Sequence, residues 1–193
     1  MWDIQQPQPV KLMIGILAAD QRCLAAAESA VAEAFGKADL VSPVYPFDMT
    51  AYYEQQAGPA ILRRFVSIES PIDPGRLGDI KHQTNRMEVQ LAELLATPWP
   101  RPVNLDPGYL EPSKLVLAST KNFAHRVYIG DGMWAEVTLT YNKGVWQVYP
   151  YTFPDFKSGR YNAFLSAARE KLAAQRRELA SGAVLPPDNS DTR

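Results

Sequence analysis

The chain has few of the residues that build metal centres and disulfides. Its 193 residues include one cysteine and two histidines, which excludes a zinc site made from several cysteine or histidine ligands. The single cysteine, Cys23, has no partner for an internal disulfide, and this favours a reducing compartment. A hard cation held by carboxylates stays open. We therefore predict no metal site of the cysteine or histidine type.

Charge of one sign and long apolar runs are also missing. The 20 Lys and Arg residues balance 21 Asp and Glu residues, so the formal net charge is −1. This balance excludes a strong overall attraction to nucleic acid or to an anionic membrane. The longest apolar run covers eight residues, 12–19, whereas a spanning helix needs about 20. Residues 1–6 lack the basic start of a signal peptide, and we expect a cytoplasmic protein without membrane or specific nucleic-acid partners.

Three motifs of phosphate binding and catalysis are absent. The chain has no Gly-x-x-x-x-Gly-Lys-Ser/Thr loop, no Gly-x-Gly-x-x-Gly fingerprint and no Gly-x-Ser-x-Gly elbow. We therefore expect neither a P-loop nucleotide-binding site, nor a Rossmann dinucleotide site, nor an α/β-hydrolase. The sequence identifies no cofactor.

Hydrophobic spacing in the first half of the chain predicts strands that alternate with two helices. The nearly continuous apolar run Val10–Leu17 is typical of a strand covered on both faces. Asp20 as an N-cap and Gly36 as a stop bracket an amphipathic helix. Further predicted elements are an extended edge segment at 39–47, a strand at 62–68 and a second amphipathic helix that begins at Asp73-Pro74-Gly75.

The second half of the chain is predicted to be mainly β. Asp106-Pro107-Gly108-Tyr109 has proline and glycine in the positions of a type II turn. Apolar runs and glycine-containing turns predict strands at 114–119, 126–129, 133–141 and 145–149, followed by a helix that begins at Tyr161.

This order of elements predicts one α+β domain over residues 10–181. It begins with a ferredoxin-like β-α-β-β-α-β unit and continues with an antiparallel β-meander and a C-terminal helix. We expect residues 1–9 to be a flexible leader and the proline- and aspartate-rich residues 182–193 to be a disordered tail.

The hairpin around Gly130-Asp131-Gly132 has a predictable register. A three-residue loop with Gly132 in the left-handed region gathers the apolar residues of both strands on one face, whereas a one-residue slip would mix the two faces. The preferred register pairs Arg126 with Glu136, Val127 with Ala135 and Tyr128 with Trp134. It predicts a cross-strand ion pair between Arg126 and Glu136, on the face away from the main core.

The segment before this hairpin concentrates positive charge. Lys121 and Arg126 are fixed cations and His125 is titratable, a combination suited to a phosphate or carboxylate ligand. The alternative is a surface strand with ordinary charge pairs and a histidine that fills a bend. The supporting residues that we predict are Glu136, which would hold Arg126, Asp106, which would orient His125, and Tyr109.

A second segment, polar and aromatic, offers further candidate ligand-binding residues. Asp48 and Tyr53 are the two that we predict to bind, although tyrosines of this kind also pack in cores. Lys81, at the border of the apolar stripe of the second helix, could reach into a pocket, but we expect it to be part of a solvated flank. The neighbours considered with Asp48 and Tyr53 are Tyr52, Glu54 and the adjacent Arg63 and Arg64.

Several long motifs of the chain resemble a known bacterial family. They are Ser42-Pro-Val-Tyr-Pro-Phe-Asp48, the stretch from Asn104 to Leu110, Lys114 to Lys121, His125 to Leu139, and Thr152-Phe-Pro-Asp155. Together they resemble the domain-of-unknown-function family 4416 over nearly all of residues 9–175. The resemblance implies kinship and brings no activity, cofactor or site residue with it.

Two functions of different classes follow from these residues. The first is a pocket for an anionic small molecule that carries phosphate or carboxylate, nucleotides included; if the protein is an enzyme, His125 would be the acid or base. The second is a non-catalytic interaction module, with an aromatic contact face on the meander made by Tyr128, Trp134 and Trp146. Convergence of Lys121, His125 and Arg126 in a concave site would favour the first.

Overall fold

A computed structural model describes residues 3–50 and 53–182, which form nine strands and five helices. The strands are β1 (Lys11–Ala18), β2 (Ala38–Val41), β3 (Tyr45–Pro46), β4 (Leu62–Ile68), β5 (Val103–Glu111), β6 (Lys114–Ser119), β7 (Val127–Gly130), β8 (Met133–Asn142) and β9 (Val145–Val148). The helices are α1 (Gln21–Phe35), α2 (Glu54–Ala57), α3 (Leu77–Leu95), α4 (Pro154–Lys157) and α5 (Asn162–Ala180). A 3-10 turn, Pro74–Arg76, leads into α3.

All nine strands belong to one antiparallel sheet. Its order is β2-β4-β1-β5-β6-β8-β7, with β3 paired to β4 and β9 paired to β8. The first four positions, β2-β4-β1-β5, are the order of a ferredoxin-like unit with its two crossover helices, α1 and α3. The later strands extend the sheet as a meander and α5 follows it. The predicted α+β class, ferredoxin-like start, meander and C-terminal helix are confirmed.

Helices cover both faces of the sheet, as the apolar run of the first strand predicts. Leu12, Ile14 and Ile16 on β1 pack with residues of α1 and α3, whereas Met13 packs with residues of α5. Every residue of β1 is buried. The two faces of the strand therefore serve two separate cores, and we call the corresponding sides of the sheet the α1/α3 face and the α5 face.

The predicted ends of α1 are confirmed by their capping groups. Asp20 accepts a hydrogen bond from the backbone N–H of Cys23 at 2.7 Å, and Gly36 ends the helix at a φ of 90°. Cys23 is itself fully buried on this helix. Burial, together with a hydrogen bond to Asp20, raises the pKa of its thiol to about 11.

The prediction of a turn at Asp106-Pro107-Gly108-Tyr109 is wrong, because these residues lie inside β5. Pro107 is opposite Ile14 of β1, and Gly108 is opposite Met13. Leu105 directs its N–H and C=O away from β1, since side chains bond both groups. Alternation along the strand gives Pro107 the same direction. Its nitrogen, which has no hydrogen to donate, therefore faces the side on which no neighbouring strand is paired, so no hydrogen bond of the sheet is lost there.

Beyond Gly108 the strands β5 and β6 separate. Their pairing ends at Gly108 and Leu117, although β5 continues to Val103 and β6 to Ser119. Gly108 marks the close contact before the separation, since a Cβ there would lie 2.4 Å from the carbonyl oxygen of Val116. The gap in the sheet opens towards α3 on one side and towards the α5 face on the other.

The predicted register of the β7–β8 hairpin is confirmed. Val127 pairs with Ala135 and Tyr128 pairs with Trp134, and Gly132 has a φ of 74°. The Nε of Arg126 donates to Glu136 at 2.8 Å. The pair lies on the predicted face, opposite the one on which Ala135 and Val137 pack with Leu77 of α3, but it is buried there, since Glu136 is only 3% exposed.

The ends of the described chain carry little regular structure. Residues 3–9 form no helix or strand. From residue 183 onwards, the predicted disordered tail lies outside the described residues. Within residues 3–50 and 53–182, no helix combines the length and the apolar character that crossing a membrane requires.

A buried ion pair attaches α5 to the edge of the sheet. The Nζ of Lys11, which is fully buried, donates to Asp39 at 2.5 Å, and to the backbone oxygen of Glu69 and the side chain of Gln175 on α5 at 3.1 Å each. Asp39 is 8% exposed and also accepts from Ser67. Burial lowers the pKa of Lys11, and the nearby Asp39 carboxylate partly offsets this. The pair joins three elements that are distant in sequence.

We predict that Lys11→Met lowers the free energy of unfolding by about 3 kcal/mol, because the variant leaves the Asp39 carboxylate buried without its main partner. Urea unfolding would measure the loss. Lys171→Met is the matched control: Lys171 lies 3.9 Å from the same carboxylate but is 43% exposed, so its loss should stay below about 1 kcal/mol. Equal losses in the two variants would contradict the prediction.

Candidate functional site

A cavity of about 490 Å³ lies on the α5 face where β5 and β6 separate. Strand residues of the sheet form its floor, and its walls come from residues 47, 49, 50 and 53, from residues 120–123 and 126 after β6, and from residues 153–156 around α4. The cations that line it are Arg63, Lys81, Arg101, Lys121 and Arg126. The carboxylates that line it are Asp106, Glu136 and Asp155.

The inner polar group of the cavity is centred on Arg63. Its side chain is 6% exposed and donates to Asp155 at 3.2 Å and to Asp106 at 3.5 Å. Tyr161 donates its hydroxyl to the same Asp155 oxygen at 3.2 Å. Lys81 lies 3.9 Å from Asp106. Arginine stays charged even when buried, so both carboxylates have a permanent counter-ion.

Asp106 is held in its charged form by this group. Burial would raise the pKa of its carboxyl, but the charges of Lys81 and Arg63 outweigh burial and hold the pKa below its ordinary value. Asp106 is therefore a carboxylate at neutral pH, suited to accepting hydrogen bonds and unsuited to donating a proton.

Lys81 reaches this group from the opposite side of the sheet, and the prediction of a solvated flank is wrong. It is 4% exposed, and its Nζ donates to the backbone oxygen of Leu105 at 2.8 Å. Glu88, one further α3 residue, accepts from the N–H of Leu105 at 2.8 Å and from Arg101 at 2.5 Å. The two side chains satisfy the backbone groups that β6 leaves unpaired.

The outer polar group is centred on Arg126 and Glu136. The Nη1 of Arg126 donates to the hydroxyl of Ser119 at 2.8 Å and to the backbone oxygen of Lys121 at 3.0 Å, while its Nε bonds Glu136. Thr138 donates its hydroxyl to the other Glu136 oxygen at 3.2 Å. Three bonds thus fix the guanidinium, and in the part of the chain that the structure describes its Nη2 has no hydrogen-bond partner.

His125 lies behind Glu136. Its Nε2 is 3.0 Å from Glu136, and its ring stacks on Tyr151 with centroids 4.1 Å apart and planes at 5°. His125 is not one of the residues that line the cavity. The carboxylate that contacts it is Glu136, whereas Asp106, predicted to orient it, bonds Arg63 in the inner group.

The other predicted site residues divide between the cavity and its surroundings. Lys121 and Tyr53 line the cavity. Tyr109 packs in the cluster of Leu77 and Val116, on the α1/α3 face. Asp48 is exposed outside the lining and bonds Arg160 at 3.2 Å. Of the neighbours considered with Asp48 and Tyr53, Arg63 lines the cavity, Arg64 turns to Glu28 of α1, and Tyr52 lies outside the described residues.

Sequence reasoning missed Arg101, Asn104 and Asp155. Asn104 lies in the separated part of β5 and is 5% exposed, and its side chain hydrogen-bonds the Asp106 carboxylate and helps to lower the pKa of that group. The Nε of Arg63 is a buried donor with no hydrogen-bond partner among the described residues. Asp155 is 92 residues from Arg63 along the chain, so no local pattern joins them. The motif Thr152-Phe-Pro-Asp155 was the only signal that pointed to this aspartate.

The three aromatic residues predicted for a contact face do not share one. Trp146 is 7% exposed, packs in the core under α5 and donates its indole N–H to Ser166 at 3.1 Å. Tyr128 is 55% exposed and meets the half-buried Trp134 edge to face. The geometry therefore gives less support to the interaction module than to a ligand pocket.

A metal centre finds no support in the donor groups. Over residues 3–50 and 53–182, no set of three or more His, Cys, Asp or Glu side chains is arranged to hold a metal ion. The carboxylates of the cavity are bonded instead by arginine, lysine and hydroxyl groups.

Comparison with known proteins gives one match. A family model described as a domain of unknown function, DUF4416, matches residues 8–172. No curated protein and no solved structure matches the chain. The match covers the whole sheet, the cavity and most of α5.

The lowered pKa of Asp106 predicts a pH dependence of stability. Its ordinary value is 3.8, so the carboxylate adds stability above that pH, and this stability is lost as pH falls through the folded-state pKa. In Asp106→Asn, the free energy of unfolding should therefore fall less between about pH 5 and pH 2 than in the native chain. The control is Asp131→Asn, which changes an exposed carboxyl in the β7–β8 turn. A native-like acid loss in Asp106→Asn would contradict the assignment.

Proposed function

The chain belongs to the DUF4416 family, which brings no activity with it, and from the cavity we propose that the protein binds an anionic small molecule. The ligand carries a phosphate or carboxylate group, and Arg126 and Lys121 bind that group. The observation that carries the proposal is the guanidinium of Arg126: three hydrogen bonds hold it at the cavity, and its Nη2 has no hydrogen-bond partner among the described residues.

The outer group is the better place for an anion. At the inner end Arg63, Lys81 and Arg101 face Asp106, Asp155 and the adjacent Glu88, so each cation there has a carboxylate close by. At the outer end the guanidinium of Arg126 meets Glu136 through its Nε. An incoming anion therefore gains most at the outer end, because the Nη2 of Arg126 can donate to it.

Arg126 is prepared for this role before a ligand arrives. Its side chain is 11% exposed and three hydrogen bonds hold it, so little side-chain entropy remains to be lost on binding. The unpartnered Nη2 provides a charge-assisted donor to an oxyanion. His125 enters the proposal as the residue that orients Glu136, which in turn orients Arg126.

A buried donor at the inner end adds selectivity. The Nε of Arg63 is buried without a partner among the described residues, and a buried donor without a partner costs about 1–3 kcal/mol. A ligand long enough to reach it with a carbonyl, ether or hydroxyl oxygen removes this cost. We therefore propose that the ligand has a polar acceptor distant from its anionic group.

The test is isothermal titration and thermal shift with inorganic phosphate, citrate and adenosine monophosphate. A probe at 100 times its Kd should add about 2.7 kcal/mol of stability. Arg126→Gln should weaken binding of every probe by ten-fold or more, and Lys121→Gln should act in the same direction if Arg126→Gln proves unstable.

Arg86→Gln is the matched control for charge, because Arg86 is an exposed arginine on α3, outside the lining of the cavity. It should leave the affinities unchanged. The proposal fails if none of the three anions binds, or if Arg126→Gln and Arg86→Gln have the same effect.

A further inference from the structure

Two phenylalanine rings are exposed at the cavity that contains Arg126. Phe123 is 63% exposed and Phe153 is 42% exposed, and both line the cavity. Single exposed apolar residues are normal on protein surfaces. Two exposed rings beside a guanidinium with an available N–H donor in one cavity are a different pattern, because they place apolar planar surface next to a site for negative charge.

Phe123 is the exposed end of a row of aromatic rings. Its ring centroid is 5.2 Å from that of His125, which stacks on Tyr151, and Tyr151 is parallel to Tyr149 at 5.3 Å. The row joins the segment between β6 and β7 to the segment between β9 and α4, which also contains Phe153. Both exposed rings are therefore carried on segments that the row holds together, and a further planar ring would extend the row at Phe123.

The ring of Phe123 and the guanidinium of Arg126 belong to one tight turn. The N–H of Arg126 donates to the carbonyl oxygen of Phe123 at 2.9 Å, which closes a β-turn with the two Cα atoms within about 7 Å. Both side chains line the same cavity. A planar group on Phe123 and an anion on Arg126 would thus be separated by only a few bonds.

The size of the cavity requires more than a simple anion. Its volume of about 490 Å³ corresponds to that of roughly 16 waters in the liquid, so a phosphate group alone would leave most of it empty. Apolar side chains supply much of the remaining surface, among them Phe47, Phe65, Leu117 and Phe156. An apolar, ring-sized group fits this composition.

We propose that the ligand is an aromatic anion: a planar aromatic or heteroaromatic ring, linked directly or through a few bonds to a phosphate or carboxylate. The ring stacks on Phe123 while Arg126 binds the oxyanion. This inference rests on the proposed function, because it needs the anion at Arg126, and it adds the chemical class of the ligand.

The experiment compares three probes by isothermal titration: inorganic phosphate, phenyl phosphate and cyclohexyl phosphate. The last two carry the same charge and rings of the same size, and only phenyl phosphate has a planar π system. Stacking on an aromatic side chain gives about 1–3 kcal/mol, so phenyl phosphate should bind about ten-fold tighter than cyclohexyl phosphate.

Phe123→Leu keeps an apolar side chain and removes the ring. It should reduce the phenyl-to-cyclohexyl affinity ratio to about one and leave the affinity for inorganic phosphate unchanged. Tyr128→Leu is the matched control, since Tyr128 is 55% exposed but does not line the cavity, and it should keep the native ratio.

The outcomes separate the two proposals. If phenyl and cyclohexyl phosphate bind equally well to the native chain, or if Phe123→Leu keeps the native ratio, the aromatic ligand class is overturned while anion binding stands. If none of the three phosphates binds, the proposed function is overturned, and this inference with it.

Discussion

The candidate site depends on how the backbone of β5 is hydrogen-bonded after β6 turns away. A buried N–H or C=O without a partner is costly, so a sheet that opens in its centre needs replacement partners. Lys81 and Glu88 supply them at Leu105. The same two side chains form an ion pair at 4.0 Å, and Glu88 bonds Arg101. These side chains therefore supply the missing hydrogen bonds of the open strand and pair the buried charges. They also bring two cations, Lys81 and Arg101, into the cavity.

The two polar groups of the cavity differ in how their charges are paired and buried. In the inner group, cations and carboxylates are matched and mostly buried, and breaking such a pair leaves an uncompensated charge. Its residues therefore contribute chiefly to the fold. In the outer group, the guanidinium of Arg126 is held by neutral oxygens as well as by Glu136, and its Nη2 has no hydrogen-bond partner among the described residues. In the proposed function, the anionic group of the ligand is therefore bound by the arginine that the fold needs least.

The sequence predicted those elements whose pattern is local along the chain. The strands at 62–68 and 114–119 were predicted to the residue, because each is a short stretch rich in apolar residues, and the hairpin register followed from alternation. β5 was missed because the sequence Pro107-Gly108 is typical of a turn. A proline fits inside this strand only because β6 is not paired with β5 at that point, and the sequence does not show this. Lys81 was misjudged because a lysine beside an apolar stripe is usually solvated, and only the gap between β5 and β6 gives its amine a buried acceptor.

The burial of Cys23 determines how its thiol reacts with oxidants and disulfides. Thiol–disulfide exchange and oxidation proceed through the thiolate, and a pKa of about 11 leaves only about one thiol in ten thousand ionised at pH 7. That small fraction is also enclosed by the core between β1, α1 and α3. The folded chain thus presents no reactive thiol, and Cys23 forms no disulfide while the core around it stays closed.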